Sequence, residues 1–321
     1  MGSFANSYFK YVNHLEQINE AAREAPAQMV EEVELSYRHQ INGVVERMLY
    51  ERRGCRILLL AGPSGSGKTT TAHRLAEAIE AHGLNAELIS LDDFYRGENQ
   101  APLTEDGRYD YESVDALNLE QIEKSFLDLA HTGECDVPRY SFALRSPEEK
   151  MRHISVGERG IAVVEGLHAL NPKISGHLPK NQLFRVYVSV KQGIKDHSGM
   201  VLDARELRFL RRLVRDYHFR KTDAERTVAM WPDVLRGEDR YIQPFKKSSD
   251  VTINSIHIYE PCVIRAHAVP LLEGYLARNP DGNADLERYL HALRRFEPIS
   301  EELIPQESII REFVGGGAYE G

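Results

Sequence analysis

Cysteine and tryptophan are scarce, at three and one among 321 residues. Cys55, Cys135 and Cys262 are odd in number and far apart, which excludes a disulfide framework or a closely spaced zinc site. No apolar run reaches the roughly 18 residues that a transmembrane helix needs, so no membrane span is expected. Met1 to Lys10 lacks the basic-then-apolar pattern of a secretory leader, and a reducing cytoplasm is the expected location. Positive charge is also short. Lys and Arg number 40 against 49 Asp and Glu, a net charge of −9, so no nucleic-acid partner held by a broad basic field is expected. There is no internal repeat, no low-complexity tract and no N-K-x-D element of the kind guanine-binding switches carry.

What is present is an ordinary soluble composition, 42% hydrophobic and 28% charged, and one informative run. Gly62-Pro63-Ser64-Gly65-Ser66-Gly67-Lys68-Thr69 is a complete G-x-x-x-x-G-K-[ST] phosphate-binding loop. The apolar stretch Ile57 to Ala61 enters it as a buried strand, and a helical pattern from Thr70 to His82 leaves it. In that setting backbone N–H groups converge on phosphate oxygens at the positive end of a helix. Lys68 is expected to reach the outer phosphates and the Thr69 hydroxyl to ligate Mg²⁺; with Thr70, the run forms the expected ATP site.

Strands and helices alternate after Arg56. Ala86 to Leu91, Gly160 to Val164, Leu183 to Val190 and Val251 to Asn254 read as further strands. Asn118 with Gln121 reads as a capping box for a helix closed by Gly133. The expected fold class is α/β: a P-loop fold with a parallel five-stranded sheet covered by helices on both faces. Residues 1–54 form an expected helical extension, with Val33, Leu35, Ile41, Val44, Val45, Met48 and Leu49 on its buried stripe. Residues 55–260 form the core, with a helical lid at about 205–240, and 261–321 a C-terminal helical extension. Both extensions are expected to pack on the core or on a second copy, and a homo-oligomer is the expected assembly.

Ligands of such sheets lie beyond the carboxyl ends of the strands. There the sequence places Asp92, closing the second strand, and Glu165, closing the third. Phosphoryl transfer needs oxygen ligands for Mg²⁺ and a carboxylate to take the acceptor proton. Asp92 and Glu165 flank the loop and suit both tasks, whereas Asp93 reads as a cap. Arg208, Arg212 and Arg215 share one face of an arginine-rich helix, suited to closing over the transferred phosphoryl group.

Together these segments resemble the uridine kinase and phosphoribulokinase family of P-loop kinases. The likeness is carried by the phosphate loop, Ser90 to Arg96, Tyr109 to Leu117, Val137 to Phe142, Val163 to Leu170 and Arg211 to Lys221. The ending from Glu307 to Gly316 looks like that of a bacterial uridine kinase-like subgroup. The resemblance implies transfer from ATP to the 5′-hydroxyl of a nucleoside, with Asp92 as base and Glu165 in the magnesium shell. It implies Tyr95, Tyr140 and Phe142 around the nucleoside, and Arg212, Arg215 and Arg220 as lid arginines.

Three positions depart from the family pattern. Glu112 stands near the place of the aspartate that holds the ribose hydroxyls. Arg145 replaces a base-reading histidine, and an arginine only donates. Lys221-Thr222 replaces the G-R pair that closes the lid. A sugar phosphate or vitamin-like alcohol as acceptor, or an ATP-binding regulatory protein, are the competing readings.

Overall fold

The computed structural model describes residues 13–104, 106–141, 144–280 and 283–319. At its centre is a five-stranded, all-parallel sheet: β1 (Ile57–Ala61), β2 (Ala86–Ser90), β3 (Ile161–Glu165), β4 (Leu183–Ser189) and β5 (Val251–Asn254), in spatial order β5-β4-β1-β3-β2. β1 is thus central, so the loop that leaves it opens at the middle of the sheet's carboxyl edge. In register, Leu60 pairs with Glu165 and Ser90 pairs with Glu165, which brings the ends of β1, β2 and β3 to one level.

Each central strand is buried on both faces, and its side chains divide by the two-residue period of a strand. Leu58 and Leu60 join Val163, Phe184, Val186 and Val188 in one apolar layer; Ile57, Leu59 and Ala61 join Ala162, Val164 and Tyr187 in the other. The first layer is closed by α1 (Leu15–Glu24), α2 (Pro26–Glu51), α3 (Lys68–Ala81), α5 (Ala204–Phe219) and α7 (Glu260–Arg278), with α8 (Ala284–Arg294) outside them. The second is closed by α4 (Leu119–Thr132). α6 (Ala224–Tyr241) runs back from α5 along the cleft.

Local chemistry sets the helix ends. The Asn118 side chain accepts from the Gln121 N–H at the start of α4, and Gly133 ends it in the left-handed region at φ 80°. At α5 the Asp203 carboxylate and Glu206 form a reciprocal capping box.

The N-terminal stripe differs from its sequence expectation at one position. Leu35 is 43% exposed, while neighbouring Glu34 is buried. Glu34 accepts a 2.5 Å hydrogen bond from the Tyr259 hydroxyl and lies 3.5 Å from His257. A buried polar cluster thus takes a place that residue type alone assigns to leucine. Strand β2 also ends one residue early, because Leu91 opens a 3-10 turn through Phe94 in which Ser90 Oγ accepts from the Asp92 N–H.

Candidate active site

The loop after β1 is held tightly. A Cβ at Gly62 would meet the Val188 carbonyl, one at Gly65 would lie 2.7 Å from the Arg208 carbonyl oxygen, and one at Gly67 would run into Ile309. Gly65 and Gly67 also have φ of 72° and 80°, where side chains are strained. The Lys68 ammonium donates to the Pro63 carbonyl at 3.4 Å, so it folds back over the loop. Its burial pushes its pKa down, against the opposing pull of Glu165 and Asp92.

These groups open into a cleft of about 830 Å³. Lys68, Thr69, Asp92 and Glu165 all line it, so three segments far apart in sequence meet there. Glu165 Oε1 accepts from Ser90 Oγ at 2.8 Å. Burial, then the nearby Asp92 charge, hold the Glu165 carboxyl well above the usual carboxylate range. Hard oxygen donors whose charges repel, beside an exposed threonine hydroxyl, fit a divalent cation such as Mg²⁺. Asp93 is turned away as expected: its carboxylate accepts from the Tyr140 N–H at 3.3 Å.

α5 supplies the cations, in two sets. Arg208 and Arg211 are structural. Arg208 reaches Glu238 at 2.7 Å and the Ser64 carbonyl at 3.1 Å. Arg211 makes two 2.6 Å bonds to Glu260 and donates to the Gly65 carbonyl at 3.1 Å. Both therefore brace the phosphate loop from behind. Arg212, Arg215 and Arg220 line the cleft itself. Buried Asp216 gathers them: Arg212 Nε at 3.1 Å, Arg215 at 2.8 Å and Arg220 at 3.8 Å. Arg212 also donates to Ser64 Oγ at 2.9 Å.

Tyr95, Glu112, Tyr140 and Arg145 line another wall of the cleft. The Tyr95 and Tyr140 rings lie 5.8 Å apart and tilted, and the Tyr95 hydroxyl donates to the Tyr111 carbonyl at 3.2 Å. Burial raises the Glu112 pKa, which Arg212 opposes. Arg145 is not a free cation, since it donates to Glu98 at 2.8 Å. Phe142, also expected here, lies outside the described residues.

Sequence reasoning missed Glu98, Tyr111 and Arg226 on this side. It also missed that the C-terminal tail forms a wall of the cleft. Gln306, Ser308, Arg311, Glu312 and Tyr319 line it, and Thr70, expected in the ATP site, also lines it and donates to Glu312. The only local signal was the Gly315-Gly316-Gly317 turn after a buried apolar pair, Ile309 and Ile310.

A family model described as the phosphoribulokinase / uridine kinase family matches residues 57–260. A uridine kinase of Lactobacillus helveticus is 25% identical over 199 residues, covering 61% of this chain and 85% of its own. Another, of Macrococcus caseolyticus, is 28% identical over 198 residues, covering 61% and 86%. Among solved structures, a possible uridine kinase from Bacillus stearothermophilus aligns at 17% identity and a TM-score of 0.46, over 67% of this chain and 98% of its own. The phosphoribulokinase of Rhodobacter spheroides aligns at 14% identity and a TM-score of 0.40, over 62% and 69%.

Proposed function

The chain belongs to the phosphoribulokinase / uridine kinase family, and we propose that within it the protein transfers the terminal phosphoryl group of ATP to the 5′-hydroxyl of a nucleoside. The observation that carries this reading is the meeting of Lys68, Asp92, Glu165 and the tyrosine-lined acceptor wall in one cleft.

In such a transfer the protein does little covalent work; it positions the reactants and stabilises charge. Lys68 and the loop N–H groups hold the donor phosphates. Arg212 and Arg215 face charge that spreads over the transferred group, and Asp216 keeps both from pointing elsewhere. Asp92 accepts the proton of the acceptor hydroxyl. Thr69, Asp92 and Glu165 would hold Mg²⁺, which neutralises phosphate charge when bound. Tyr95 and Tyr140 offer flat apolar faces to a base, and Glu112 can accept from ribose hydroxyls at the far end of the same wall. We propose that residues 205–240 act as a lid. Its movable portion is the turn after α5, because Arg208 and Arg211 anchor the helix upstream.

The test is a panel of separate nucleosides, sugar phosphates and alcohols, each incubated with ATP and Mg²⁺ and followed by chromatography. Monophosphate from one or a few nucleosides is expected. Turnover only with a phosphorylated or non-nucleoside acceptor would reassign the substrate, and ATP binding without turnover on any acceptor would favour a regulatory role.

A further inference from the structure

We infer that the C-terminal tail is part of the donor-nucleotide site and that Glu312 sets its affinity by holding the position of an inner phosphate. This rests on the reading of residues 62–70 as the loop that binds nucleotide phosphates.

Glu312 Oε2 accepts from the Thr70 backbone N–H at 3.2 Å and from the Thr70 hydroxyl at 3.0 Å. Thr70 stands in the first turn of α3, where backbone N–H groups have no partner within the helix. It follows Lys68, assigned to the outer phosphates, and Thr69, assigned to the Mg²⁺ that accompanies them. The next N–H along that turn therefore faces the inner part of the phosphate chain. The Glu312 carboxylate supplies the negative charge that this helix end favours.

The contact is built rather than incidental. Ile309 packs over Gly67, and the Phe313 ring lies 5.1 Å from the buried Arg211 guanidinium. Arg211 itself donates to the Gly65 carbonyl, so one cation touches both the loop and the tail. Beyond Glu312, Arg311 donates to the carbonyls of Glu301, Ile304 and Gly315, which fixes the turn. Tyr319 then stacks on His73 of α3 at 4.7 Å and 14°. The tail is thus pinned on both sides of Glu312.

A phosphate and a carboxylate cannot share the same two donors, since both bring negative charge to one point. Nucleotide entry therefore moves the Glu312 carboxylate off Thr70, and part of the nucleotide's binding energy is used to do so. Removing the charge removes that competition.

The test is equilibrium binding of ATP, ADP and adenosine, without acceptor, to the wild type and to Glu312→Gln, by calorimetry. Gln keeps an oxygen that can accept from Thr70 but carries no charge. ATP and ADP are expected to bind the variant at least fivefold tighter, with adenosine unchanged. Glu312→Asp, which keeps the charge and shortens the reach, is expected to fall between the two and carries the test if Glu312→Gln does not fold. Unchanged or weaker ATP binding by a folded variant would overturn the inference alone. A wild type that binds neither ATP nor ADP would instead overturn the phosphate-loop reading, and this inference with it.

Discussion

His168 illustrates how far a single buried side chain couples this fold to pH. It is 4% exposed, lies 6.2 Å from the Tyr241 ring, and its Nδ1 has no hydrogen-bond partner. Burial pushes its pKa down to about 4, although Asp110 and Asp115 pull the other way. The unfolded chain binds the His168 proton near pH 6.5, so between the two values only the unfolded state is protonated. The contribution to stability is therefore fully present above about pH 6.5 and is lost as the pH falls toward 4. From pH 7.5 to pH 5 this amounts to about 2 kcal/mol. Urea unfolding at both pH values, compared with His168→Gln, is expected to show the wild type losing about that much more. Equal losses would place the imidazole in a solvated environment.

At the scale of elements, α5 is the member that joins the phosphate loop to the rest of the molecule. Its Arg211 and its partner Glu260 at the start of α7 are 0% and 1% exposed, with two 2.6 Å bonds between them. A buried pair adds little net stability over an apolar substitute, but removing one partner strands the other's charge. Arg211→Ala is expected to cost about 3–5 kcal/mol in denaturant unfolding, whereas the double variant Arg211→Met with Glu260→Leu is expected to recover most of it. The same helix shows where sequence reading succeeds. Spacing put Arg208, Arg212 and Arg215 on one face, and Arg212 and Arg215 do line the cleft, as does Arg220, which only the family resemblance marked. Spacing did not set Arg208 apart, because Glu238, the carboxylate that buries it, lies 30 residues away.

For the molecule as a whole, the parallel sheet was legible because β1 and β3 at its centre are apolar runs, ILLLA and IAVV, bounded by glycine and by helix caps. Glu165 closes β3, the neighbour of β1, and Asp92 stands in the turn that follows β2, the neighbour of β3, so topology brings both to the same edge of the sheet. The tail's role was not legible. Glu312 meets Thr70 across 242 residues of sequence, and nothing local marks a glutamate near the end of a chain as a partner of the phosphate loop. Leu35 failed for a related reason, as the polar cluster around Glu34 is assembled from three distant segments.

The central claim is that one cleft binds the donor through its loop and activates the acceptor through Asp92. The measurement that tests it most directly compares Asp92→Asn with the wild type on the best nucleoside of the panel, recording turnover at saturating ATP beside ATP affinity. The expected result is turnover reduced by about 10²–10⁴-fold with ATP affinity within a few fold of the wild type, the range associated with loss of a positioned general base. Turnover at the wild-type rate in the variant would contradict the assignment of Asp92.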